Sequence, residues 1–153
     1  MPDHLAWPLM LVHLGATLCM MGLIWFVQVV HYPLKGQVGS ESFPTYHNAH
    51  VMLTGWVVGP PMLLEVTSAL ALVLWPSELI DPLGPLLGLA LLLVVWASTA
   101  LFSIPAHGRL AQKFSVEVHQ NLVRTNWIRT IAWTARALLW LTIIGSMQPY
   151  SAS

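Results

Sequence analysis

The chain is 153 residues long, 56% hydrophobic and only 8% charged, and its six Lys and Arg balance six Asp and Glu. Nothing in that balance supplies the basic patch a nucleic-acid-binding surface needs. Its single cysteine, Cys19, excludes intramolecular disulfides and cysteine-rich metal sites.

Four apolar stretches run from Leu9 to Val30, Val51 to Trp75, Leu83 to Ile104 and Trp127 to Met147. Each approaches the roughly 20 residues required to cross a hydrocarbon core. They predict an integral membrane protein of the all-α class: one domain over residues 1–153, an antiparallel four-helix bundle with helices at about 9–31, 48–75, 83–107 and 120–147. Before the first helix, the segment MPDHLAWPLMLVHL has no basic n-region and no small-residue cleavage site, so this helix is expected to remain as an anchor. Cys19, in mid-helix, is expected to be a packing residue.

Lys35, Arg109, Lys113 and Arg124 flank one end of the helices, whereas Asp3, Glu78 and Asp81 mark the other. The positive-inside rule therefore predicts the segments 31–50 and 105–126 in the cytoplasm and both termini outside, as in a bacterial inner membrane.

Within the first helix, steps of three and four residues join His13, Thr17, Met20, Ile24, Gln28 and His31. The second helix repeats the pattern with His47, His50, Thr54, Glu65 and Ser68, the third with Thr99, Ser103 and His107, and the fourth with Asn126, Arg129, Trp133 and Arg136. Ionisable groups at membrane depth are costly, so the four polar stripes are expected to converge inside the bundle. His13 lies eighteen residues before His31 and Glu65 eighteen after His47, about 27 Å in each case, which puts His13 and Glu65 at one depth. Glu65 is then expected to pair with Arg136 or Arg129. Its role is structural support of that pair or a part in the chemistry, and Pro60 with Pro61 just before it should bend the helix.

His31, His47, His50, His107 and His119 all fall at helix ends that the topology brings to the cytoplasmic face. His47 and His50 stand at i, i+3, a chelating spacing, and neutral imidazole suits iron or copper. Glu41, Glu117 and Asn121 could complete such a site, with Tyr32 and Tyr46 behind it. The alternative is a hydrogen-bonded polar cap of interfacial residues. Haem is a further option, held by His13 or by His31 paired with a histidine of another helix. Of the eight tryptophans, Trp7 and Trp75 suit interface anchors, while Trp56, Trp96, Trp133 and Trp140 suit either an aromatic pocket or lipid-facing packing.

The run SIPAHGRLAQKF followed by HQNLVRTNWIRTIAWTARALL resembles the second half of the small four-helix membrane proteins grouped with fungal anthrone oxygenases. Pro105 matches the family's proline after helix 3, and Asn126, Arg129 and Thr130 match its Asn-x-x-Arg-Thr element entering helix 4. His107 stands in place of the family's asparagine and Thr125 in place of its tryptophan. The resemblance implies oxidation of a planar aromatic substrate at a membrane-embedded site, and the added histidines suggest a metal-dependent relative. Helix 1, LMLVHLGATLCMMGLIWF, is similar to the first helix of the small haem-binding protoporphyrinogen oxidases, which implies a cofactor-binding role for His13.

Together these readings predict a membrane-embedded, metal-dependent oxidoreductase, an oxygenase or oxidase of a hydrophobic small molecule. His31, His47, His50, His107 and His119 would hold iron or copper, Glu65, Asn126 and Arg129 would serve the substrate or proton path, and haem at His13 is the alternative. The alternatives are a non-enzymatic accessory subunit of a larger membrane complex or a homo-oligomer, with the tryptophans and small residues as contact surface, and a transporter or channel for protons or metal ions that would use the same polar axis.

Overall fold

The computed structural model describes residues 1–147, and over them the chain is helical with no strand. Residues 148–153, the end of the predicted domain, lie outside the described residues. Four long helices follow one another: α1 Asp3–Lys35, α2 Phe43–Leu74, α3 Leu83–Gln112 and α4 Val116–Ser146. The first three are long and apolar enough to cross a membrane. α4 is just as long but carries Glu117, Arg124, Arg129 and Arg136.

Each helix runs past its apolar stretch at the end that bears the histidines. Hydropathy stops where polar side chains begin, but backbone hydrogen bonding continues as long as one face of the turn is covered. Phe43 and Leu110 at these ends are fully buried. The connections break where the chain supplies breakers: Gly36 and Gly39 after α1, Pro76 and Pro82 between α2 and α3. At the start of α4 the Ser115 hydroxyl accepts a hydrogen bond from the Val118 amide and caps the helix.

α1 packs on α2 and α4, and α3 packs on α2 and α4, so the helix contacts close into a ring. At the end holding the N-terminus, the Ser77 hydroxyl donates to Asp3. Pro60 and Pro61 lie within α2, whose helical turns continue through them.

Along α1 the buried side chains alternate in layers, and α4 repeats the order in reverse. Met10, Leu72 and Trp140 form an apolar layer. His13, Thr17, Glu65 and Arg136 follow as a polar one, then Met20, Ile24, Val95 and Trp133 as a second apolar layer. Gln28 with Asn126 is polar again, and Tyr32, Phe43, Leu110 and Leu122 close the far end. The four stripes do converge: His13, Thr17, Glu65, Asn126 and Arg136 are fully buried and Ser103 of α3 is buried with them, while Trp56 is 76% and Leu101 67% exposed. Charge inside and hydrocarbon outside is the reverse of a water-facing core. Cys19 departs from the expected packing role: it sits on the exposed outer face, because its position on α1 is off the polar stripe.

Candidate functional site

Two polar networks occupy the interior, and they differ in charge. In the first, Glu65 pairs with Arg136 at 3.1 Å, both side chains wholly buried. Thr17 Oγ1 donates to Glu65 Oε1 at 2.8 Å and Trp133 Nε1 to Oε2 at 3.0 Å, so both carboxylate oxygens are engaged. Arg136 also donates to the Gly88 carbonyl and, at 3.3 Å, to His13 Nε2. His13 Nδ1 donates to Ser68 Oγ at 2.7 Å, whose own proton goes to the Leu64 carbonyl. These partners assign His13 the Nδ1–H tautomer and occupy both ring nitrogens. Trp140 stands edge-on to the His13 ring, centroids 4.7 Å apart. The network is neutral overall and satisfied at its carboxylate and its imidazole, with Trp140 Nε1 beside it buried and unpartnered.

The second network is neither. Gln28 Nε2 donates to the Val123 carbonyl, and Gln28 Oε1 accepts from Asn126 Nδ2 at 2.6 Å. Asn126 Oδ1 accepts from both Nε and Nη2 of Arg129. Arg129 reaches further, at 3.5 Å each, to the hydroxyls of Thr99 and Tyr32. Every partner it has is uncharged.

Arg129 opens onto a cavity of about 600 Å³. Its walls are mostly apolar, among them Met20, Ile24, Val58 and Met62, and its polar end is made by Tyr32, His47, His50, His107 and Arg129. Two turns of π-helix, Val27–His31 in α1 and Thr99–Ser103 in α3, flank it, and Val27, Thr99 and Ser103 are in its wall. A π-turn accommodates an extra residue and reorients the side chains after it, and such turns recur at functional sites.

Four of the five histidines singled out from the sequence gather here. His31 and His50 stack with centroids 4.1 Å apart, His47 and His107 lie at 5.2 Å, and His50 and His107 at 6.3 Å. Tyr46 stacks on His50 with the planes within 9°. His47 Nε2 donates to the His107 carbonyl at 3.0 Å, which leaves Nδ1 with a bare lone pair, buried and without a partner. His31 Nε2 and His107 Nδ1 are also buried and unpartnered, while His107 Nε2 is 3.4 Å from the Tyr32 hydroxyl. Thr54 Oγ1 and His50 Nδ1 are 3.0 Å apart.

His119 takes a different place. Its Nε2 donates to the Tyr32 carbonyl at 2.9 Å, its ring neighbour is Phe114, and it fills the space beside Gly36, where a Cβ would come within 2.9 Å of its Cε1. Glu117 and Asn121 line a separate groove with Arg109 and Arg124, and Glu41 is exposed. Among the described residues, no three His, Cys, Asp or Glu side chains stand in a geometry that would hold a metal ion. Of the residues expected to serve a substrate or proton path, Arg129 lines the cavity, Asn126 lies behind it as the group that orients it, and Glu65 belongs to the other network.

Lys35 escaped the sequence reading as anything but a topology marker. It is fully buried, its Nζ has no hydrogen-bond partner, and it lies about 6 Å from the ring centres of Tyr32 and Phe43. The signal that could have found it is position: a lysine three residues after Tyr32 shares that residue's buried face. No protein-family model, curated protein or solved structure matches the chain.

Proposed function

We propose that this chain is an integral membrane protein, an antiparallel four-helix bundle, that admits a hydrophobic small molecule to its cavity and holds the molecule's polar end against the histidines. The observation that carries this reading is the cavity itself: about 600 Å³, apolar along its walls, with His47, His50, His107, Tyr32 and Arg129 together at one end. Small-molecule sites have this character, mostly apolar with a few convergent polar groups. Helices with apolar outer surfaces would place the cavity at bilayer depth, where such a molecule is concentrated.

The test is photolabelling of the protein in lipid nanodiscs with an alkyl diazirine, followed by mapping of the adducts. Labelling of Val51, Val58 and Met62 above that of outward-facing Leu101 is expected. Gly55, a wall position where an added Cβ meets nothing, provides a plug: Gly55→Trp should abolish the cavity adducts and leave Leu101 labelled. Equal labelling of all positions in the unsubstituted protein would defeat the reading.

A second reading makes the chain a metal-dependent oxygenase or oxidase, and the His47 geometry favours it. A metal-ligating histidine ordinarily donates its other ring N–H to a carbonyl or carboxylate, as His47 does to His107. The unpartnered nitrogens of His31 and His107 are its candidate neighbours, after a swing of the rings to bring the three together. Iron or copper there would supply the redox chemistry. Elemental analysis and an optical spectrum of chelator-free protein test this, and a Soret band would redirect it to haem. His47→Ala with His50→Ala should remove the bound metal. Unchanged metal content in that variant would end the metal reading without touching the cavity.

A further inference from the structure

We infer that the molecule the cavity takes is an amphipathic anion, an apolar body with a single carboxylate-type head that lies against Arg129. This rests on the cavity reading above and adds the charge of the ligand to it.

All six acidic residues lie away from the cavity wall. Glu65 is committed to Arg136, the only ion pair among the described residues. Asp3, Glu78 and Asp81 belong to the end of the molecule that holds the N-terminus, where Asp3 accepts from Ser77 and Asp81 from the Leu83 amide. Glu41 and Glu117 are exposed at the histidine-bearing end, and neither is in the cavity wall. The cavity lining therefore contains no carboxylate.

It does contain a cation. Arg129 is half-buried and holds four hydrogen bonds to neutral oxygens, two of them at the long distance of 3.5 Å. A guanidinium has five N–H donors, so one remains on Nη1, and the two long bonds are weak enough to be exchanged. Asn126, itself held by Gln28, grips Nε and Nη2 from one side and fixes the plane of the fork. Lys35 adds a second cation at the same end of the bundle, wholly buried and without a counter-ion. Uncompensated positive charge in a low-dielectric interior is expensive, and a ligand that brings a negative charge removes the expense at binding.

The chemistry around Arg129 also suits an acid head. The Tyr32 hydroxyl and the ring nitrogens of His107 are donors or acceptors that can adjust to a carboxylate oxygen, and the walls beyond them are Met, Val and Ile. A neutral alcohol would leave the cation unpaired, and an amine would add like charge.

The experiment uses three diazirine probes of one chain length, a carboxylic acid, the primary alcohol and the primary amine, on the full chain in phosphatidylcholine nanodiscs at neutral pH. Adducts on Val51, Val58 and Met62 are normalised to those on Leu101. The acid is expected to label the cavity about tenfold or more above the alcohol, the size of one charge-assisted hydrogen-bonded contact. Arg129→Gln should bring that ratio to about one while alcohol labelling persists, which also shows the variant to be folded. Arg129→Lys should retain an acid preference, a rescue that a purely structural role of the guanidinium fork would not give. Displacement of the acid probe by unlabelled acid and not by phosphatidylglycerol identifies a free single-chain acid; displacement by the phospholipid overturns that assignment. Equal cavity labelling by acid and alcohol, or preference for the amine, overturns the anion and leaves the cavity reading standing. No cavity labelling by any probe overturns both.

Discussion

Two arginines seven residues apart on α4 show how neighbours decide what a charge is for. Arg136 is enclosed by Glu65, the Gly88 carbonyl and His13, and its charge is answered within the chain. Arg129 has the same chemistry and no anion. Glu65→Leu should therefore destabilise by about 3–5 kcal/mol, because it strands a buried guanidinium. Glu65→Leu combined with Arg136→Leu should cost less than the single change, a non-additivity readable from Tm in detergent. If the double variant is the less stable, the pair is contributing more than its own charge balance. That Glu65 would meet an arginine of α4 was legible in the sequence, because helical rise converts residue counts into depth, but the choice of Arg136 over Arg129 was not. Arg129's isolation was not legible, since an absent partner can be recognised only when all six carboxylates have positions.

At the scale of the elements, the two π-turns decide the site and left no mark in the sequence. Composition distinguishes helix from loop but does not encode whether one turn holds an extra residue. Val27–His31 sets the angle from which Tyr32 and Lys35 leave α1, and Tyr32 is the centre of the cavity's polar end. Val29 within that turn is 56% exposed, so its side chain makes little of the core. A π-turn absorbs one extra residue, so deleting Val29 should restore a regular ladder with Tyr32 still facing Arg129 and His107 and the cavity still labelled. Inserting an alanine after Val29, into a turn that already holds its extra residue, should instead rotate Tyr32 by about 100° about the helix axis and abolish cavity labelling in a protein still helical by circular dichroism. Retention of labelling after the insertion would mean that the orientation of Tyr32 is incidental to the site. The same limit explains His119. All five histidines lie at one end of the helices, but a helix end has several sides and Tyr32 stands between His119 and the rest.

Among the described residues, three of the four long helices are apolar enough to cross a membrane, and α4, which closes the ring between α1 and α3, is not. On the proposed membrane reading, α4 depends on its neighbours: α1 covers Arg136 and Asn126, and α3 supplies Gly88 and Thr99. Alkaline phosphatase fused after Ser146 should be active, and fused within the Gly36–Ser42 connection inactive, if Lys35, Arg109, Lys113 and Arg124 face the cytoplasm. The opposite pattern would reverse the orientation without altering the cavity.

Sequence alone determined that the chain is helical and which face of each helix is polar. Hydropathy and the 3.6-residue period act locally, within one helix, and need no partner. Which polar faces meet, and which charge is left without an answer, was decided by tertiary structure. Arg129 and Arg136 are indistinguishable by period and composition, and only the placement of Glu65 against one of them makes the other a binding group.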